Sequence, residues 1–196
     1  MILVSIQPFA FAPRKMLALV VSLLGLASLS CVASTLLLPV DSTPYDHQMS
    51  RIRPVLVAGK NGSPGEPSIQ TVNAWMGDLR NIPYGYHMEW KTPAEVLSGE
   101  ASDCKGKAVA LYERMHARGA TNVRLVIGKR VSNSRMTHAW LEWRTASGEF
   151  VLDPTFNWMA QRAESVSRRG AYLPLYAYAG SRKYRAASAP ALYAQN

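Results

Sequence analysis

The hydrophobic positions change period along the chain, and the changes mark its elements. In "SIQTVNAWMGDLRNI", Ile69, Val72, Trp75, Met76 and Leu79 fall on one side of a helical spiral, with Ser68 in front as an N-cap. "WKTPAEVLSGEAS" reads as a loop and a short helical turn, opened by Thr92 and Pro93 and closed near Gly99. In "ASDCKGKAVALYERMHARG" the face is Ala108, Leu111, Tyr112 and Met115, and Gly119 follows the last turn as a C-cap, which predicts the central helix. Beyond it the period shortens. "NVRLVIGKRV", "MTHAWLEWRT" and "EFVLDPTF" read as strands, the last two joined by the turn signal "ASG".

Outside these segments the pattern weakens. Residues 41–68 include "RPVLVAGKNGSPGEPS", where Gly, Pro and Ser interrupt any periodicity, and "AASAPALYAQN" closes the chain as a frayed end. The expected division is a signal segment over 1–33, a linker or loosely packed arm over 34–68, one domain over 69–185 and a flexible tail over 186–196. The signal is read from Arg14 and Lys15 ahead of "MLALVVSLLGLASLSCVAS", an apolar run closed by small residues, with cleavage after Ala33. A membrane anchor competes, since no charge interrupts Met16 to Val40, although Pro39 weakens a helix there. Lipidation of Cys31 ranks third, because Ser28 stands where a lipoprotein signal carries a large aliphatic residue. The first reading places the protein in the periplasm or otherwise exported, the second in the inner membrane facing the periplasm.

Composition narrows the class. Apolar residues at 48% and charged residues at 18% fit a globular chain. The net charge is +9; removing Arg14 and Lys15 leaves 20 basic against 13 acidic residues, or +7. Arg162, Arg168, Arg169, Arg182, Lys183 and Arg185 face only Glu164 over residues 161–185. Without a nucleic-acid motif beside it, this surplus reads as a solvated basic face, and no nucleic-acid partner is expected.

Cleavage after Ala33 discards Cys31 and leaves Cys104 alone. An isolated cysteine is most often a buried structural one, but Cys104 lies in the first turn of the central helix, where unpaired N–H groups and the helix dipole stabilise a thiolate. One Cys among four scattered His residues lacks the spacing of a zinc site. A nucleophile needs a base, and the choices are His47, His87, His116 and His138. His116 sits farther along the same helix, about 18 Å away. His47 precedes the arm, and His87 lies in a Tyr-rich loop. His138 starts a strand whose hairpin partner carries Asp153. If "TASG" is a four-residue loop, Arg144 opposes Glu149, His138 opposes Thr155, and Asp153 shares the face of His138; a tighter loop around Thr145 and Ala146 pairs them directly. Either register lets the carboxylate orient the imidazole.

With these residues placed, the chain resembles the transglutaminase-like superfamily and, within it, the bacterial transglutaminase-like cysteine proteinases. The likeness runs from "TVNAWMGDLRNIPY" through "WKTPAEVLSGEASDCKGKAVALYERMHARGATNVRLVIGK" to "THAWLEW" and "FVLDPTFN". It implies an α+β, papain/transglutaminase-like fold, with a central helix carrying the Cys packed on an antiparallel sheet carrying His and Asp. It also implies Cys104 as nucleophile, His138 as general base and acid, and Asp153 as orienting carboxylate. The expected activity is an exported cysteine peptidase cleaving protein or peptide amides in the cell envelope, open to control by a protein partner. The alternatives are a transglutaminase-type acyl transferase and a catalytically silent binding module of the same fold. Trp75 and Trp90 are expected in the core. No cofactor is expected: calcium-dependent members carry acids on both sides of the nucleophile, and here Asp103 is followed, across Cys104, by Lys105.

Overall fold

The computed structural model describes residues 35–58 and 65–187; the expected signal segment and nearly all of the expected tail lie outside them. Among the described residues, no helix is long and apolar enough to cross a membrane.

The strands form one antiparallel sheet. In chain order they are β1 (Leu37–Val40), β2 (Val123–Val131), β3 (His138–Thr145), β4 (Gly148–Leu152), β5 (Gln161–Arg162), β6 (Ala171–Ala179) and β7 (Arg182–Ala186). They lie side by side in the order β1-β7-β6-β2-β3-β4-β5. Alternation sorts the two faces. Leu125, Ile127, Leu141 and Trp143 join the larger core, whereas Val126, Trp140, Val151 and Ala177 form a smaller one with Val166 of helix α5 (Ala163–Arg168).

The remaining helices are α1 (Arg53–Val57), α2 (Ile69–Asn81), α3 (Pro93–Leu97) and α4 (Cys104–Ala117). The predicted punctuation is observed. The Ser68 side chain accepts from the Thr71 N–H, Thr92 and Glu95 form a capping box, and the N–H groups of Gly119 and Ala120 close α4 on His116 and Met115. Burial of α4 exceeds the single face predicted. Val109, Ala110 and Lys107 are buried as well, because the other helices cover what the sheet does not.

Within the segment expected as a loose arm, residues 35–58 are packed. β1 pairs with β7 at the sheet edge, and Met49, Ile52 and Leu56 enter the large core at 4% exposure or less. Their helical spacing was masked by Pro54, which occupies the first turn of α1, where a missing N–H costs nothing.

Two registers position the site. Arg144 opposes Glu149 in the β3–β4 hairpin, the first of the two predicted alternatives. Between β2 and β6 the pairing slips by one residue: Ile127 opposes Tyr176, but Gly128 opposes Pro174. This is a β-bulge, and glycine permits it, since a Cβ at Gly128 would stand 2.2 Å from the Leu173 carbonyl oxygen and 2.6 Å from the Trp140 indole. Gly128→Ala therefore forces backbone apart and is expected to cost about 1–3 kcal/mol, measured by urea unfolding against Gly77→Ala in α2, whose added methyl meets the Trp158 ring at an ordinary 3.7 Å.

Candidate active site

Helix α4 begins with a buried acid. Asp103, 2% exposed, is the N-cap: its Oδ1 accepts from the N–H groups of Lys105 (3.0 Å) and Gly106 (3.2 Å). Cys104 is the first helical residue and is 8% exposed. Asp103 thus occupies its neighbours' amides, while no acceptor faces the Cys104 N–H among the described residues. Gly106 keeps this turn compact; a Cβ there would lie 2.4 Å from Ser102 Oγ.

Two lysines fasten the helix start to its surroundings. The Lys107 ammonium, on a residue 2% exposed, donates to the carbonyls of Ile82 (2.6 Å) and Arg80 (3.4 Å) and so ties α4 to the C-terminal end of α2. Burial, then the Arg80 charge, pushes its pKa down, against a smaller upward pull from Asp153. Lys105 bonds the Asp103 carboxylate and the His87 carbonyl (2.8 Å), with its ammonium 4.9 Å from the Tyr86 ring centre. His87, expected in an unanchored loop, is held: its N–H reaches Asp103 Oδ2 (3.3 Å) and its ring bonds the Ala101 carbonyl (3.0 Å). Those bonds place His87 beside the helix start with its Nε2 already engaged.

The hairpin delivers the other groups. His138, 8% exposed, donates from Nε2 to Asp153 Oδ2 at 2.8 Å. Burial pushes the imidazole pKa down, but the Asp153 hydrogen bond, the Cys104 hydrogen bond and both nearby charges outweigh it and raise the value to about 9. Asp153 is fully buried. Burial acts to raise its pKa, and His138, Tyr172 and the Thr155 N–H together bring it below the ordinary carboxylate value. Cys104, His138 and Asp153 therefore meet, His116 lies outside the group, stacked on Tyr112 at 4.1 Å, and Trp90 is a core residue as expected.

One neighbour was absent from the sequence reading. Tyr172 on β6 donates its hydroxyl to Asp153 Oδ2 at 2.8 Å. A cavity of about 630 Å³ lies elsewhere: Val151 and Tyr172 line it, but none of Cys104, His138 or Asp153 does.

This arrangement, a helix-start cysteine against an antiparallel sheet carrying His and Asp, is a papain/transglutaminase-like α+β fold. Among solved structures the chain is similar to Legionella pneumophila LapG. With the EGTA-treated form it shares 16% identity over 70% of this chain and 73% of that one, at a TM-score of 0.50. The calcium-bound form gives 16% identity over 76% and 73%, at 0.43. A third LapG structure gives 19% over 55% of this chain and 61% of that one, at 0.45, so the chain spans about three fifths of that LapG. No protein-family model and no curated protein matches the chain.

The His138 bonds set a pH dependence. An imidazole with a pKa of 6.5 unfolded and about 9 folded binds its proton more tightly in the native state. Its stabilisation is full below pH 6.5 and is lost as pH rises through about 9. Asp153→Asn removes the partner charge, so in chemical unfolding curves across this range the loss should be smaller and be complete at lower pH than in wild type.

Proposed function

We propose that this chain is an exported cysteine peptidase that cleaves amide bonds in proteins or peptides. The observation that carries the reading is the buried His138 imidazole, hydrogen-bonded to Asp153 at 2.8 Å and close enough to Cys104 for the sulfur to raise its pKa. Export rests on the basic and apolar segment ending at Ala33. A polypeptide substrate fits the surroundings: Tyr84, Phe156 and Trp158 leave apolar surface exposed near the site, and the Phe156 ring lies 5.2 Å from that of His138.

The Cys104 sulfur attacks the substrate carbonyl carbon, and the oxyanion that forms is received by the Cys104 N–H. His138 gives its proton to the amine as the C–N bond breaks, leaving a thioester. Water then loses a proton to His138 and attacks the thioester; the C–S bond breaks, releasing the acid and restoring the thiolate beside the imidazolium. Asp153 holds the ring so that the nitrogen not bonded to it faces the sulfur.

Two of the LapG structures are described by their calcium state, which raises the question for this chain. The residues do not fit a calcium ion. The acid at the helix start is already bonded to the Lys105 ammonium, and among the described residues no group of three or more His, Cys, Asp or Glu could hold a metal. No step runs through one.

Cys104→Ala should abolish amide hydrolysis in a peptide library while leaving the thermal midpoint close to wild type, since an alanine fits the same turn. Equal cleavage by both proteins would end the peptidase reading; product joined to an added primary amine in preference to water would assign an acyl transferase instead. Wild-type turnover is further expected to survive excess chelator. Loss in chelator restored by calcium alone would show that the Lys105 ammonium does not stand in for a metal.

A further inference from the structure

We propose that Tyr172 is a positioning residue of this site, holding Asp153 in the orientation that His138 requires; the proposal rests on Cys104, His138 and Asp153 being the reacting groups. Three independent features converge on it.

The first is geometry. Asp153 Oδ2 accepts from both His138 Nε2 and the Tyr172 hydroxyl, each at 2.8 Å. The Tyr172 oxygen in turn accepts from Asn157 Nδ2 at 2.9 Å, so the hydroxyl proton is turned toward the carboxylate. Asn157 is itself placed by the turn that follows Asp153, where its N–H bonds the Asp153 carbonyl at 2.9 Å.

The second is backbone conformation. Tyr172 has φ of 57°, the left-handed region that a bulky L-residue avoids. Such strain persists only where surrounding contacts over-determine it. Here the ring is 9% exposed, stands edge-on to Trp140 at 5.3 Å, and ends at Asp153.

The third is register. Tyr176 and Tyr178 sit in the core against α4, and unbroken alternation would send Tyr172 to that same face. The bulge at Gly128 reverses the parity, and Tyr172 instead joins Trp140, Val126 and Ala177. Bulges re-aim side chains in this way beside functional sites.

The charged groups around the pair are His138 on β3, Cys104 and Lys107 on α4, Arg80 on α2 and Arg130 on β2. Removing the hydroxyl leaves them unchanged and takes one donor from the Asp153 carboxylate, so Asp153 should protonate at higher pH. The readout is the downfield proton NMR signal of His138 Nε2–H in the full chain, followed on acidification while circular dichroism stays native. Tyr172→Phe keeps the ring against Trp140 and should lose the signal on the order of one pH unit higher than wild type. Asn157→Ala, which frees the hydroxyl to turn away, should shift the loss in the same direction by less, and decides the matter if Tyr172→Phe fails to fold. Iodoacetamide labelling, read at the Cys104 peptide by mass spectrometry, should slow about tenfold in Tyr172→Phe, an effect of about 1.4 kcal/mol. On an Asp153→Asn background the same change should add nothing. An unshifted signal and unchanged labelling in Tyr172→Phe, or in Asn157→Ala alone should Tyr172→Phe not fold, would reduce Tyr172 to a packing residue. A wild-type protein with no downfield signal, and with Cys104 no more reactive than free cysteine, would instead remove the nucleophile reading beneath it.

Discussion

A carboxylate taken fully out of water must have its charge and lone pairs matched by the protein, and in this fold that requirement falls on Asp153. Its Oδ1 is met by the N–H groups of Thr155 and Phe156, its Oδ2 by His138 and Tyr172. These donors come from the turn after β4, from β3 and from β6, so the condition is satisfied only when all three are in register. Satisfying one buried charge thereby fixes the imidazole relative to the sheet. The same bonds explain the direction of both pKa shifts, since each partner stabilises the ionised form of the other.

The other half of the site is organised by a second buried acid. Asp103 is bonded at once to the first turn of α4, to the His87 amide and to Lys105. The helix start, the loop beside it and a cation become one unit. Lys107 fixes that unit to α2, and α4 itself rests on the sheet that carries His138. Cys104 is thus located by the packing of a whole helix, and its meeting with His138 depends on rigid elements more than on flexible loops.

The parts of this arrangement written in local spacing were readable in the sequence. Ser68 and Thr92 marked helix starts by side-chain hydrogen bonds and Gly119 a helix end by its freedom to take positive φ, all acting within a few residues, and the hairpin parity joined His138 to Asp153 because both belong to one hairpin. The order of the strands, and the contribution of β1, β6 and β7, had no such local mark. Met49, Ile52 and Leu56 were hidden because Pro54 and the Gly-rich run beyond it read as breaks. Tyr172 was hidden for a different reason: its face depends on a one-residue slip against β2, a strand 41 positions upstream if counted from Val131. Lys107 lies outside the apolar face that the spacing marks on this helix, and the carbonyls left open at the end of α2 explain its burial.

The slip at Gly128 divides β6 into two segments of opposite phase. Tyr176 and Tyr178 answer to the helix-facing core, whereas Tyr172 answers to Asp153, and Leu175 is the residue that absorbs the difference. The strand therefore encodes two alternations in one run of nine residues. For the site, residue spacing here carries as much information as residue identity: a chain shortened by one position between Tyr172 and Tyr176 would keep Cys104, His138, Asp153 and Tyr172 and still turn the tyrosine hydroxyl away from the acid. A comparison of related chains that scored only matching letters would pass over such a change, while one that tracked single-residue gaps in this strand would find it.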